Sequence, residues 1–180
     1  MALPAVALAT LGKPSAGSIA FGVPLALAGE ALRCWAVGYS GVTTRSDRVT
    51  APALTTAGPY AHVRNPLYVG NFITALGFTI AFSGDVSKPK RLFLAAFGLG
   101  TMVGVYAAIV PLEEAYLRET FGDAFDAYVA RVPRLVPRAA PAQPQAGSYD
   151  GAVIARAETR TFVTFGAMLA ALAVRARRSD

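Results

Sequence analysis

The chain has 180 residues, of which 54% are hydrophobic and only 16% are charged, and its formal net charge is +6. Soluble domains carry about 25% charged residues, so this composition excludes an ordinary soluble domain. It predicts an all-α, polytopic integral membrane protein that forms a single domain over residues 1–180. No basic face with interleaved aromatic residues is evident, which excludes a nucleic-acid partner.

Five apolar segments follow one another along the chain. Residues 1–12 are apolar but short. Residues 18–39, 67–83 and 92–112 approach the roughly 20 residues that a membrane-spanning helix requires, the second of them only just. Residues 161–174 are short for a span, and the pattern leaves open a tilted span, a re-entrant segment or an interfacial helix. The sequence thus predicts four to five hydrophobic helices.

An amphipathic pattern begins after Pro111 and runs from Glu113 to Val132. Apolar residues recur there every three or four positions, the period of one helix face. They are Leu117, Phe121, Phe125, Tyr128 and Val132. The other face is charged, so the pattern predicts a separate helix along the membrane surface. Residues 138–149, rich in Pro, Ala, Gln and Gly, are predicted to form a loosely ordered linker.

The distribution of basic residues bears on the orientation in the membrane. If residues 161–174 cross it, the two sides carry nearly equal numbers of Lys and Arg. If they re-enter instead, the basic residues collect on the side that holds Arg64. The positive-inside rule then places that side in the cytoplasm, and we expect this orientation.

A polar cluster directly precedes the second long apolar segment and reads Gly58-Pro59-Tyr60-Ala61-His62-Val63-Arg64-Asn65-Pro66-Leu67-Tyr68-Val69-Gly70. Asn is a favoured N-cap and Pro is favoured at the first helical position, which predicts a helix capped by Asn65 and begun by Pro66. A helix N-terminus binds carboxylates and phosphates. Tyr60 and Tyr68 can stack on a base or contact a cation. The cluster fits a ligand with a carboxylate, an aromatic ring and a cation, although an ordinary interfacial helix start also explains it.

Two adjacent carboxylates, Glu113 and Glu114, follow the third long apolar segment. A carboxylate can accept hydrogen bonds from both hydroxyls of a ribose, whereas a solvated helix end that pairs with Arg118 is the simpler explanation. His62 is the only histidine and could act as a base, but a loop histidine near headgroups needs no such role. No metal-binding motif is present.

The two clusters together resemble the signatures of the isoprenylcysteine carboxyl methyltransferase family and its phospholipid methyltransferase relatives. The first signature is Leu54-Thr55-Thr56-Ala57-Gly58-Pro59-Tyr60 with Arg64-Asn65-Pro66-Leu67-Tyr68-Val69-Gly70. The second comprises Glu113-Glu114, Leu117, Phe121-Gly122, Phe125, Tyr128 and Arg131-Val132-Pro133. The resemblance extends from about Leu54 to Pro137.

The resemblance implies a membrane methyltransferase that uses S-adenosylmethionine. It would methylate a carboxylate or amine of a membrane lipid or of another lipidated or amphipathic small acceptor, in a bacterial inner membrane. It implies catalytic roles for Arg64, Asn65 and Tyr68, and Arg64 is the best remaining candidate to bind an anionic acceptor. The implied cofactor-binding residues are Pro52, Ala53, Leu54, Thr55, Tyr60, Asn65, Pro66, Leu67, Tyr68, Glu113 and Glu114.

The chain departs from the family pattern at two positions. Asn65 stands where relatives with prenylcysteine activity have histidine, which removes acid–base chemistry there. Ile109 stands where those relatives place an arginine that is thought to hold the substrate carboxylate. These departures keep three alternatives open: a phospholipid or amine N-methyltransferase, a nicotinamide-dependent membrane reductase, and a non-catalytic relative.

Overall fold

The structure is a computed structural model that describes residues 2–41 and 53–178. This part of the chain contains no β-strand, which confirms the all-α fold. Its α-helices are α1 (Ala2–Leu11), α2 (Ala16–Ser40), α3 (Pro66–Phe82), α4 (Lys88–Phe121), α5 (Asp123–Val129) and α6 (Ile154–Arg177). Single 3-10 turns occur at Gly58–Ala61 and Gly151–Val153.

The protein is an integral membrane protein, since α2, α4 and α6 are each long and apolar enough to cross a membrane. Helix α6 has 24 residues and extends the apolar segment 161–174 in both directions, to a length sufficient for a span. Helix α3 has 17 residues and measures about 26 Å at 1.5 Å per residue. It is therefore slightly shorter than the hydrocarbon core of about 30 Å.

The prediction of a separate helix from Glu113 to Val132 is wrong. Helix α4 continues through Pro111 to Phe121 as one helix of 34 residues. An internal proline removes one backbone hydrogen bond, and helices of membrane proteins tolerate this loss. The break comes at Gly122, whose φ of +51° lies in the left-handed region that favours glycine. The predicted apolar stripe is therefore divided between the end of α4 and the short helix α5.

The described chain divides into two compact units, and the single-domain assignment stays a prediction. The first unit comprises Met1–Glu30, Asn71–Val105 and Arg160–Asp180. Its core is formed by apolar side chains of α1, α2, α3, α4 and α6. They are Leu8, Ala26, Phe78, Ala81, Phe82, Leu94, Phe165, Met168 and Leu172. Phe78 and Phe165 meet edge to face with their ring centroids 4.9 Å apart.

Two glycines allow α2 and α3 to lie in direct backbone contact within this unit. A Cβ atom at Gly77 would lie 2.4 Å from the Ala26 amide nitrogen, and one at Gly22 would lie 2.5 Å from the Gly77 carbonyl oxygen. Small residues permit such close approach between membrane helices, where van der Waals packing drives association.

We expect Gly77→Ala to lower the free energy of unfolding by about 1–3 kcal/mol, because the added methyl group overpacks a rigid backbone contact. Thermal unfolding of the detergent-solubilised protein measures this effect. Gly100→Ala is the matched control, since a Cβ there meets nothing within 4 Å and alanine is the better helix former. A Gly77→Ala variant as stable as the control would contradict the close contact.

The second unit comprises Ala31–Gly70 and Tyr106–Thr159. Phe125, Tyr128, Val132 and Ala142 form its buried apolar cluster, against which Leu54, Leu117, Phe121 and Val129 pack. The predicted stripe after residue 113 thus serves as core packing. Both signature segments lie in this unit.

The prediction of a loosely ordered linker at residues 138–149 is wrong. Residues 133–150, here termed the strap, run antiparallel to residues 56–64 and are fixed by hydrogen bonds. Three backbone amides of the strap donate hydrogen bonds to other segments. Arg138 N donates to His62 O (3.0 Å), Ala142 N to Ala61 O (2.9 Å) and Asp150 N to Gly38 O (2.7 Å). In the opposite direction, Arg64 N donates to Pro133 O and Thr56 N to Ala146 O, each at 2.8 Å. The strap is therefore an ordered part of the second unit.

Candidate functional site

The start of α3 lies where the sequence predicts it, at Pro66. The Asn65 carbonyl accepts a hydrogen bond from Val69 N at 3.2 Å, as the residue preceding a helix does. Its side-chain amide nitrogen contacts other segments, donating to Arg134 O at 3.1 Å and to Glu114 Oε1 at 3.4 Å. Asn65 therefore connects α3 to α4 and to the strap.

Glu114 is the centre of a charged cluster formed by α4, the start of α3 and the strap. Its side chain is 7% exposed, and Oε1 accepts from Arg64 Nε at 3.0 Å. Arg134 Nε donates to both carboxylate oxygens, at 3.1 and 3.2 Å. The hydrogen bond to Glu114 raises the pKa of the Arg134 guanidinium above its ordinary value. The carboxylate thus already pairs with Arg64, the basic residue of the first signature, and also with Arg134.

Arg64 is held by more than Glu114. Its Nη1 donates to Val129 O at 3.4 Å and also contacts Val132 O. The Arg64 guanidinium therefore links the first signature, through hydrogen bonds, to the end of α5 and to the residues that follow it. The role of Arg64 toward an anionic acceptor stays a prediction.

Glu113 faces a different set of groups. The Tyr68 hydroxyl donates to Glu113 Oε1 at 2.6 Å. The ring of Tyr68 lies against that of Tyr106, with centroids 4.4 Å apart and planes tilted by 46°. A half-buried carboxylate beside two aromatic rings is an environment that favours a cation. Glu113 and Glu114 are adjacent in sequence, yet they serve two different clusters.

Tyr60 lies in the 3-10 turn Gly58–Ala61. Burial raises the pKa of its hydroxyl to about 12. The Tyr128 hydroxyl donates to the Tyr60 carbonyl oxygen at 2.8 Å, and burial likewise raises the pKa of Tyr128. Both phenols therefore stay protonated at neutral pH, and α5 is fixed against the first signature.

The remaining predicted cofactor residues lie on both sides of this turn. Pro52 lies outside the described residues. Ala53 is exposed, Leu54 packs against the cluster around Phe125, and Thr55 Oγ1 donates to Tyr39 O at 3.5 Å. Pro66 is buried and Leu67 is half-buried at the start of α3. The cofactor roles of all these residues stay predictions.

Two residues of the site were not predicted. Tyr106 lies seven residues, or two helical turns, before Glu113 on α4, so the face shared by the two could have indicated it. Arg134 follows a proline outside any predicted helix, and nothing in the sequence pattern links it to Glu114. The only histidine, His62, has its Nδ1 2.9 Å from the Arg138 carbonyl oxygen. Over residues 2–41 and 53–178, no group of three acidic, His or Cys side chains is placed to hold a metal ion.

Comparison with known proteins agrees with the two signatures. A family model described as phospholipid methyltransferase matches residues 18–124. Protein-S-isoprenylcysteine O-methyltransferase of Schizosaccharomyces pombe is 34% identical over 113 residues, covering 61% of this chain and 45% of that protein. Protein-S-isoprenylcysteine O-methyltransferase B of Arabidopsis thaliana is 30% identical over 121 residues, covering 65% and 58% respectively.

A third relative bears a different name. Nickel-cobalt-cadmium resistance protein NccN of Alcaligenes xylosoxydans xylosoxydans is 36% identical over 85 residues, covering 47% of this chain and 36% of that protein. The chain thus spans about half the length, or less, of the curated relatives it matches, and no solved structure gives a significant match. The family model covers more than half of the chain and includes both the start of α3 and the Glu113-Glu114 pair. The resemblance seen in the sequence is confirmed: the chain belongs to the phospholipid methyltransferase family.

Proposed function

We propose that the protein is an S-adenosylmethionine-dependent methyltransferase that acts on an acceptor embedded in the membrane. The observation that carries this proposal is the hydrogen bond between Tyr68 and Glu113. It joins the two family signatures, which are separated by about forty residues, into one site. The family membership and the names of two relatives support the same reaction class.

The chemistry of the side chains fits this cofactor. S-adenosylmethionine carries a sulfonium, an ammonium group, a carboxylate, a ribose diol and an adenine ring. The Glu113 carboxylate would accept hydrogen bonds from the ribose hydroxyls or the ammonium group. The paired rings of Tyr68 and Tyr106, with Tyr60 in the preceding turn, would contact the cation and the adenine. Because Glu114 already binds Arg64 and Arg134, Glu113 is the carboxylate that we assign to the cofactor.

The bound cofactor supplies an electrophilic methyl group, whose bond to sulfur breaks as the bond to an acceptor oxygen or nitrogen forms. The protein therefore needs mainly to position the two reactants and to exclude water. The Tyr68 phenol donates a hydrogen bond to Glu113 from a fixed position. Asn65, which cannot titrate, orders the site by linking α3 to Glu114 and to the strap.

We place the protein in a bacterial inner membrane with the cofactor site facing the cytoplasm, where S-adenosylmethionine is made. The acceptor would enter from the lipid, since the exposed apolar side chains of α2 and α4 mark lipid-facing surface. They include Phe21, Leu27, Trp35, Leu92, Phe93, Val103, Val105, Ile109 and Leu112.

Calorimetry with the detergent-purified protein tests the proposal, with NADPH as the comparison ligand. We expect S-adenosylmethionine to bind with micromolar affinity, about −8 kcal/mol, and NADPH to bind much more weakly. A folded, monodisperse sample that binds neither ligand would contradict the enzyme assignment. Preferential binding of NADPH would favour a reductase.

A second candidate is N-methylation of a phospholipid or amine. It is favoured by Ile109, which is neutral where prenylcysteine methyltransferases carry an arginine, and by the description of the family model. Transfer of a radiolabelled methyl group distinguishes the two acceptors, with an S-farnesylated cysteine derivative and phosphatidylethanolamine vesicles offered in parallel.

A further inference from the structure

Three segments of the first unit meet at a place that the proposed methyl transfer does not use. They are the residues that follow α1, the connection between α3 and α4, and the end of α6. Lys13 N donates to Phe82 O and Asp85 N donates to Lys13 O, each at 2.8 Å. Arg175 of α6 donates from Nε to Gly12 O at 3.1 Å. These hydrogen bonds fix the three segments to one another.

Five basic residues of these segments and of the first turn of α4 are exposed. They are here termed the basic surface and are Lys13, Lys88, Lys90, Arg177 and Arg178. Among residues 2–41 and 53–178, none of the five forms an ion pair. Over residues 12–15, 82–91 and 171–178, Asp85 is the one acidic residue. The basic surface therefore carries positive charge that the described part of the chain does not neutralise.

Two neighbouring arginines, Arg91 and Arg175, have a structural explanation that the basic surface lacks. Arg91 donates from Nε to Ser83 O at 3.0 Å and from Nη2 to Gly84 O at 2.9 Å. Its guanidinium thus binds carbonyl groups that follow the end of α3, as Arg175 binds the carbonyl group of Gly12 after α1. Basic side chains commonly bind carbonyl groups at helix C-termini.

The position of the basic surface is unfavourable for the protein without a bound anion. Lys88 and Lys90 lie in the first turn of α4, which contains no acidic residue. The helix macrodipole places a partial positive charge at this end, so cations there are destabilised. Like charges gathered on one surface also repel one another. An anion bound at the basic surface would offset both effects.

The helices that end at the basic surface indicate which anions can reach it. Lys13 lies three residues before α2, Lys88 begins α4, and Arg177 ends α6. These three helices are long and apolar enough to cross a membrane. Basic residues at the ends of such helices lie at the level of the lipid headgroups, many of which carry negative charge.

Exposed apolar side chains adjoin the basic surface. Leu92 and Phe93 lie directly after the first turn of α4, and Val174 lies three residues before Arg177 on α6. A phospholipid carries a phosphate and acyl chains in the same molecule, so it can contact the basic residues and cover these apolar side chains together. A soluble anion would leave the apolar side chains exposed.

We propose that the basic surface binds the phosphate groups of anionic phospholipids. Ammonium and guanidinium groups donate charge-assisted hydrogen bonds to phosphate oxygens. A zwitterionic headgroup carries its own cation beside the phosphate and gains less from the same positive charges. This lipid binding is independent of methyl transfer, because it uses none of the residues assigned to the cofactor.

Competition between two lipids tests the inference. The full chain is purified in a neutral detergent, and phosphatidylglycerol and phosphatidylcholine with the same acyl chains are offered at equal concentration. Native mass spectrometry measures how much of each lipid the protein retains. For the wild type we expect an excess of phosphatidylglycerol of about tenfold or more, since each Lys or Arg near an anionic headgroup strengthens binding.

Three variants accompany the wild type. The first replaces all five residues of the basic surface by glutamine. The second is Arg177→Gln/Arg178→Gln, and its matched control is Arg156→Gln/Arg160→Gln, which removes two exposed arginines near the other end of α6. We expect the preference for phosphatidylglycerol to fall below about threefold in the fivefold variant, to decrease in the second variant and to persist in the control.

Thermal unfolding in detergent without added lipid shows whether the variants are folded. We expect the fivefold variant to be at least as stable as the wild type, because the replaced side chains have no ion pair to lose and their mutual repulsion is removed. If the fivefold variant does not fold, the comparison between the two double variants decides the question.

Four results would overturn the inference. The first is equal retention of the two lipids by the wild type, and the second is a preference that survives in the folded fivefold variant. The third is an equal loss of preference in both double variants, which would reflect net charge alone. The fourth is displacement of phosphatidylglycerol by glycerol phosphate at the same concentration, which would assign a soluble phosphate compound to the basic surface.

Discussion

Replacing Glu113 by alanine should weaken the binding of S-adenosylmethionine by ten- to a hundredfold, equivalent to about 1.4–2.7 kcal/mol. The variant removes the carboxylate assigned to the ribose or the ammonium group and leaves the Tyr68 hydroxyl without its acceptor. Charge-assisted hydrogen bonds contribute roughly 1.5–3 kcal/mol each, so the expected loss corresponds to one such contact. Calorimetry of the purified variant measures the change.

Glu119→Ala is the control for this experiment, because Glu119 is exposed on the same helix, six residues further on. We expect its affinity to match that of the wild type. Unchanged affinity in the Glu113→Ala variant would remove the central residue of the proposed site, even if the protein remained an enzyme.

Replacing Glu114 by glutamine should affect stability more than any other single change at the site. The Arg64 side chain is 10% exposed and pairs with a carboxylate that is 7% exposed. Breaking a buried pair costs about 3–5 kcal/mol because it leaves an uncompensated charge. Arg64 keeps the carbonyl oxygens of Val129 and Val132 as acceptors, so we expect a loss of about 3 kcal/mol, or a decrease in Tm of about 6–12 °C.

Asp126→Asn provides the matched comparison in thermal unfolding. Asp126 pairs with Arg118 at 2.7 Å, but both side chains are more than half exposed, and such pairs contribute about 0–1 kcal/mol. The double variant Arg64→Met/Glu114→Leu should recover part of the stability lost in Glu114→Gln. Equal Tm values for Glu114→Gln and Asp126→Asn would show that Glu114 is not the centre of the cluster.

Local features of the fold could be predicted because they depend on neighbouring residues. Pro66 begins α3 as expected, since the missing N–H and the fixed φ of proline suit only the first turn. The same residue type misled the prediction at Pro111, because one lost hydrogen bond does not end a helix surrounded by lipid. The break depends on the backbone conformation of Gly122, which composition alone does not reveal.

The assignment of partners within the site depends on contacts between distant segments. Consecutive residues of a helix point about 100° apart, and Glu113 and Glu114 accordingly contact different groups. Which of them pairs with the arginines and which with Tyr68 was not predictable from the sequence. The answer depends on Arg134, which lies twenty residues after Glu114 and is brought to it by the strap. Polar contacts of this kind leave no periodic signal in the chain.

The strap has a further consequence for the behaviour of the protein in solution. An extended segment at the surface normally presents unpaired N–H groups that another chain can pair with, which promotes aggregation. Here Arg138, Ala142 and Asp150 direct their amides toward the protein's own carbonyl groups, and Ala146 directs its amide toward the Thr56 hydroxyl. Prolines at positions 133, 137, 141 and 144 have no N–H to offer. These eight positions of the strap therefore offer no free N–H to which a misfolded neighbour could pair a strand.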